Sequence, residues 1–137
     1  MGLLIDASVL IAHARRELDP AEHVAGREDE SYFISVITVS ELLHGVQRAE
    51  DPRRRARRSA FVESIIDRFP LLPIDPPTAR IHAEIWAMLA ASGRLIGSHD
   101  LWLAAAALAH GLSVATANVR EFERVPGLDV EYWSGGS

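Results

Sequence analysis

Short apolar or β-branched runs alternate along this chain with longer stretches of helical periodicity, and no other feature narrows its fold so far. The runs are Leu3–Ile5, Tyr32–Ile37, Leu71–Ile74 and Ser113–Thr116, with a weaker fifth at Asp129–Trp133. Between them, apolar side chains recur at helical spacing. They are Leu42, Leu43 and Val46 in 39–49; Phe61, Ile65, Ile66 and Phe69 in 52–69; and Ile81, Ile85, Met88 and Leu89 in 76–91. That spacing gives a helix one apolar face. Residues 101–110 are almost wholly apolar and predict a buried central helix. Asp75 before two prolines predicts a capped helix start, and Ser98 predicts another. Ser92-Gly93 and Gly111 predict helix ends. Alternation of this kind predicts an α/β fold with a mainly parallel sheet.

A chain of 137 residues suits one domain, expected over 1–133, with the closing Ser-Gly-Gly-Ser of 134–137 as a flexible tail. A hydrophobic content of 48% excludes a disordered chain. Cysteine is absent, which excludes disulfide, zinc-thiolate and thiol chemistry. The N-terminus has no basic segment ahead of an apolar one, and no window reaches the length of a membrane helix. A soluble, cytoplasmic protein without membrane contact is the expectation. The net charge of −5 hides a dense basic run at 53–58, RRRARR. Every basic residue is arginine and none is lysine, which removes mechanisms that need a lysine.

Three acids stand at the ends of these elements. Asp6 directly follows the apolar run Leu3–Ile5. In open parallel sheets ligands bind beyond the carboxyl ends of strands, so an acid there is placed to hold a metal; it is equally placed to cap a helix. Glu41, in VITVSELLHGV, falls in what reads as a first helical turn, where the helix dipole alone favours an acid. Its apolar neighbours Val39, Leu42 and Leu43 predict a partly buried turn, and a buried carboxylate needs a partner. Asp100 opens the apolar helix in GSHDLWLAAAALAHG. A fourth group, Thr116, Asn118 and Glu121, follows the run Ser113–Thr116. Each residue alone reads as well as a cap or a solvated group. Together they predict carboxylates meeting at one sheet edge. Such a cluster repels itself unless a cation neutralises it. Oxygen-only ligands select Mg²⁺ or Mn²⁺ over zinc, and such a site suits phosphodiester hydrolysis.

LLIDASVLIA, VITVSELLHGV, GSHDLWLAAAALAHGLSVATANVREFERVPGL and the closing VEYW resemble, in order and spacing, the PIN domains of VapC toxins. The resemblance spans about Leu3 to Trp133. It implies a PIN-like three-layer α/β/α fold around a central, mainly parallel sheet. It implies Mg²⁺-dependent endoribonuclease activity, with Mn²⁺ as a substitute, on structured RNA such as transfer or ribosomal RNA, and a resulting block of translation. It also implies a small VapB-like antitoxin as partner, and a homodimer. By position Asp6, Glu41 and Asp100 match the metal-binding acids. Asn118 stands where many PIN domains have an aspartate, which passes the fourth acidic role to Glu121. Ser8 takes the place of the hydroxyl often found directly after the first aspartate, with Thr116 and Asn118 in support.

Arg53, Arg54, Arg55, Arg57 and Arg58 are candidates for phosphate contact, with a solvated helix face as the plainer role. Glu50, Asp51, Glu63 and Asp67 flank the run and offer internal partners. Arg94 is a further candidate. Trp86, Trp102 and Trp133 read as core or interface residues. Ser98, His99 and Asp100 cannot form a triad among themselves, because helical neighbours point apart. Receiver domains and haloacid-dehalogenase-like phosphatases also place acids at strand ends. Both resemble families that use a lysine, and position 8 is Ser8 where the phosphatases want an aspartate. A PIN-like binding module without activity is the remaining alternative, kept open by Asn118.

Overall fold

The computed structural model describes residues 2–134; beyond Ser134, the tail expected at 134–137 lies outside the described residues. The strands are β1 (Gly2–Ile5), β2 (Ser31–Ser35), β3 (Leu71–Leu72), β4 (Ser113–Thr116) and β5 (Val130–Tyr132). The helices are α1 (Ala7–Ala14), α2 (Pro20–Val24), α3 (Val36–Arg48), α4 (Pro52–Arg68), α5 (Pro76–Ala91) and α6 (Ser98–His110), with a 3₁₀ turn at Phe122–Arg124. The sheet runs β3-β2-β1-β4-β5, and every pairing is parallel.

β1 shows why the fold has three layers. Its side chains alternate between faces. Leu3 and Ile5 join one core with Val9, Leu10, Leu42, Val46, Val62 and Ile65, from α1, α3 and α4. Leu4 joins a second core with Ile85, Leu89 and the alanines of α6. β4 divides likewise, with Val114 in the second core and Ala115 in the first. All three of these β1 side chains are at most 2% exposed, so the strand reads as an unbroken apolar run. Ala104 to Ala107 are equally buried, and short side chains let α6 approach the sheet and α5 closely.

Several element boundaries differ from the expected ones. β2 ends at Ser35 rather than Ile37, because Ser35 Oγ accepts a hydrogen bond from Ile37 N at 3.0 Å and starts α3 there. The cap outweighs the β-branched residues that follow it. Glu41 consequently sits in the second turn of α3, where the dipole argument for an acid no longer applies. β3 is only two residues long; Pro73 has no amide hydrogen for a ladder. Ser98 is the first helical residue of α6 and not its cap, which is Gly97. Asp75 does cap α5, accepting from Thr78 N at 3.0 Å, and Gly111 closes α6 in the left-handed conformation at φ 66°. The short α2 was not expected, although Asp19-Pro20 encodes it: Asp19 accepts from Ala21 N, and the proline opens the helix.

The three tryptophans have different fates. Trp86 is 52% exposed. Trp102 is half-buried and stacks on His82 with ring centroids 3.5 Å apart. Trp133 is buried, stacks on His23 and donates its indole N–H to Glu131 at 2.9 Å. Glu131 also pairs with Arg27, whose guanidinium holds the carboxyl below the usual glutamate range. Trp133→Ala is therefore expected to cost about 3–5 kcal/mol, read as a lower midpoint in urea unfolding. A loss below about 1 kcal/mol, the scale of an ordinary substitution, would mean that the C-terminal strand contributes little. Among the described residues no helix is long and apolar enough to cross a membrane.

Candidate active site

The chain leaves β1 toward β2 on one side, and the crossover from β3 returns to β4 on the other. The strand order therefore reverses between β1 and β4, where open parallel sheets form a crevice at their carboxyl ends. Asp6 and Thr116 both stand at that point. The register pairs Ile5 with Ala115, and Asp6 N donates to Ala115 O at 2.9 Å.

Asp6 occupies the N-cap position of α1 but makes no capping bond with its side chain. Its Oδ2 instead accepts from Ser8 Oγ at 2.6 Å and from Thr116 Oγ1 at 2.8 Å. A carboxylate only accepts, so both hydroxyls donate. Each hydroxyl oxygen in turn accepts a backbone N–H, Ser8 from Ala117 and Thr116 from Asn118, both at 3.0 Å. Asp6 is 6% exposed, and this network sets its orientation from two directions. The expected supporting residues are thus brought together, with one qualification of role. Asn118 takes part through its backbone, and its residue is exposed.

The other acids converge on the same crevice. Burial and the nearby charge of Asp6 push the Glu41 carboxyl upward, and His99 acts against that shift. Burial pushes Asp100 up to about 8, and a hydrogen bond with Glu121 and the charges of Asp6, Glu121 and Glu41 act in the same direction. Asp100 thus keeps its proton well above the usual aspartate range. Asp100 and Glu121 both reach the turn at Gly97, where a Cβ would lie 3.6 Å from Glu121 Oε2 and 3.9 Å from Asp100 Oδ2. Every influence on Asp100 raises its pKa; no basic group offsets them. Crowded oxygen donors with that deficit of positive charge fit a hard divalent cation. Among the described residues no three His, Asp or Glu side chains already stand together as a chelating set.

A groove of about 1120 Å³ opens beside Glu41 and His99 and runs between α1, α3 and α4. Arg54, Arg57 and Arg58 of the basic run line it. Arg53 and Arg55 do not: Arg55 is tied to Ala49 O at 3.1 Å. Helical geometry thus divides the run between two faces. Among the described residues the run makes no ion pair with the acids that flank it. Sequence reasoning missed four further lining residues, Arg15, Arg16, His44 and Arg48. Glu41, His44, Gly45 and Arg48 follow i, i+3, i+4, i+7 spacing, the mark of one helix face, and all four lie inside the helical stretch 39–49 that the sequence already showed. His99, excluded from a triad with its neighbours, lines the same groove and opposes the upward shift of Glu41.

An all-parallel α/β/α sandwich with acids gathered where its strand order reverses is an arrangement suited to phosphate chemistry, and the family match narrows it to a nuclease class. The PIN domain model matches residues 3–128. The chain belongs to the PIN-domain family, and its relatives place it beside the VapC ribonucleases. It is 36% identical to ribonuclease VapC1 of Rickettsia felis over 133 residues, 95% of each chain. It is 40% identical to the tRNA(fMet)-specific endonuclease VapC of Salmonella typhimurium over 100 residues, covering 73% of this chain and 74% of that one. The fold also matches a DNA-bound VapBC complex from Salmonella typhimurium with a TM-score of 0.85 and 32% identity, covering 97% of this chain and 98% of that one.

Proposed function

We propose that this chain, read as one PIN-like domain over 1–133, is the toxin of a type II toxin–antitoxin pair. In this reading it is an endoribonuclease that uses Mg²⁺, with Mn²⁺ as a substitute, to cleave structured RNA of the transfer or ribosomal kind and so block translation in the cytoplasm. The observation that carries the reading is the gathering of Asp6, Glu41, Asp100 and Glu121, with Asp100 pushed up to about 8.

Asp6, Glu41 and Asp100 would hold the cation, and Glu121 would supply the fourth acid in place of Asn118. When bound, the cation supplies Lewis acidity at the scissile phosphate and lowers the pKa of a water nucleophile. The rest falls to the chain. Ser8 and Thr116 fix the Asp6 carboxylate, so that it need not reorganise during reaction. Asp100 gives up its proton when positive charge arrives beside it. Groove arginines neutralise RNA phosphates that the acidic crevice would otherwise repel. The solved VapBC relatives support a small VapB-like antitoxin as partner, and a homodimer is the proposed assembly.

The test is cleavage of total cellular RNA by the purified chain in Mg²⁺, in Mn²⁺ and in EDTA. Discrete fragments that need metal are expected, and mapping their ends identifies the target. Cleavage that persists undiminished in EDTA would overturn the metal assignment. No cleavage together with no Mn²⁺ binding would favour the inactive binding module.

A further inference from the structure

Two residues on the groove break the rules of their own backbone, in opposite senses. Gly45 lies inside α3, where glycine is the least favourable residue apart from proline. Nothing in the folded chain requires it there. It is absent from the positive-φ positions, and an added Cβ would meet no atom within 4 Å. Arg16 is the converse. It follows α1 at φ 59°, a left-handed conformation that suits glycine, and it is the one non-glycine residue with positive φ among those described. Both line the same groove. Local violations of this kind are retained where function requires them. A missing Cβ keeps the groove floor clear, and a strained arginine puts a guanidinium on its rim.

Charge identifies the occupant. Arg15, Arg16, Arg48, Arg54, Arg57 and Arg58 all line the groove, and among the described residues none is ion-paired with a carboxylate. Glu41 and His99 are among its lining residues, so the groove reaches the carboxylate crevice. We infer that a single-stranded stretch of the RNA substrate lies along this groove. A nucleotide packs flat on the α3 backbone at Gly45, and Arg16 grips a neighbouring phosphate. The inference rests on the endoribonuclease reading and adds to it the path by which the strand reaches the acids.

The test uses Gly45→Ala and Arg16→Gly in the full chain. Each should raise the melting temperature, by about 2–4 °C, because each removes a backbone penalty. Each should nevertheless weaken binding of a short fluorescein-labelled single-stranded RNA of mixed sequence in EDTA, by roughly 3- to 10-fold. Arg16→Gly should also flatten the dependence of log affinity on log salt by about 0.7, while Gly45→Ala, which removes no charge, leaves the slope unchanged. A merely structural role predicts lower melting temperatures, and that result would overturn the inference. So would RNA binding equal to the parent's, including the case in which the variants lose affinity only for an acidic peptide. Cleavage by the parent chain in Mg²⁺ is measured alongside. If the parent cleaves and both variants match it, the groove path fails and the endoribonuclease reading stands. If the parent neither cleaves RNA nor binds Mn²⁺, the underlying reading fails first.

Discussion

Asp6→Asn is expected to lower metal-dependent RNA cleavage by a factor on the order of 10²–10³, the scale at which loss of one preorganised electrostatic group is felt. The substitution is nearly isosteric. Ser8 Oγ and Thr116 Oγ1 both donate to one oxygen, Asp6 Oδ2, and an amide oxygen can accept the same two bonds. The link from Asp6 N to Ala115 O belongs to the backbone and survives. The fold should therefore persist, with a circular dichroism spectrum and melting curve close to the parent's. What disappears is a negative charge at the junction of β1 and β4, together with one hard oxygen ligand. Parallel RNA digests and thermal melts separate the two effects. Full cleavage by a folded Asp6→Asn variant would remove Asp6 from the site. Loss of cleavage accompanied by unfolding would show that the hydroxyl network holds the fold and would leave its chemistry to Asp100.

The parts of this site that were legible in the sequence are those encoded by neighbours along the chain. Leu3-Leu4-Ile5 followed by Asp6 states both a buried strand and the acid at its end. The apolar run behind Asp100 states a central helix, and its N-terminus falls in the crevice because α6 packs against the sheet. Long-range register was not legible. Nothing local says that Thr116 stands beside Asp6, because the pairing of β1 with β4 depends on a crossover that spans β2 and β3. Ser35 caps α3 and turns Val36 and Ile37 from strand into helix, which moves Glu41 to the second turn; the face it shares with His44, Gly45 and Arg48 follows from their spacing alone. The RRRARR run was visible as charge, but only the helical period separates Arg54, Arg57 and Arg58 from Arg53 and Arg55. Gly45 shows in the sequence only as a glycine inside a helical stretch, and Arg16 carries no signal there. The oddity of Arg16 lies in its φ angle, and the open space about Gly45 appears only in the folded chain.

Asp100→Asn should abolish cleavage as well, yet it should stabilise the metal-free protein. The ordinary aspartate value is 3.8, and the folded chain raises Asp100 to about 8. A folded-state pKa above the unfolded one means that the native protein binds the proton more tightly. The resulting stability is complete below about pH 4 and drains away as pH rises through about 8. An amide never loses that proton. The variant should therefore escape the loss. The two proteins should melt together near pH 4 and separate toward pH 8.5, with the variant ahead by about 1–2 kcal/mol once solvent screening at a half-exposed group is allowed for. Mn²⁺ should reverse the order. The parent gains stability in proportion to the logarithm of metal concentration over Kd, and that gain should grow with pH as the Asp100 proton is released to make room for the cation. The variant, short of one charged ligand, should gain little. Urea unfolding at several pH values, with and without Mn²⁺, measures all of this. A variant that tracks the parent at every pH would mean that Asp100 keeps an ordinary pKa, and the crowding of carboxylates that carries the metal assignment would then be absent.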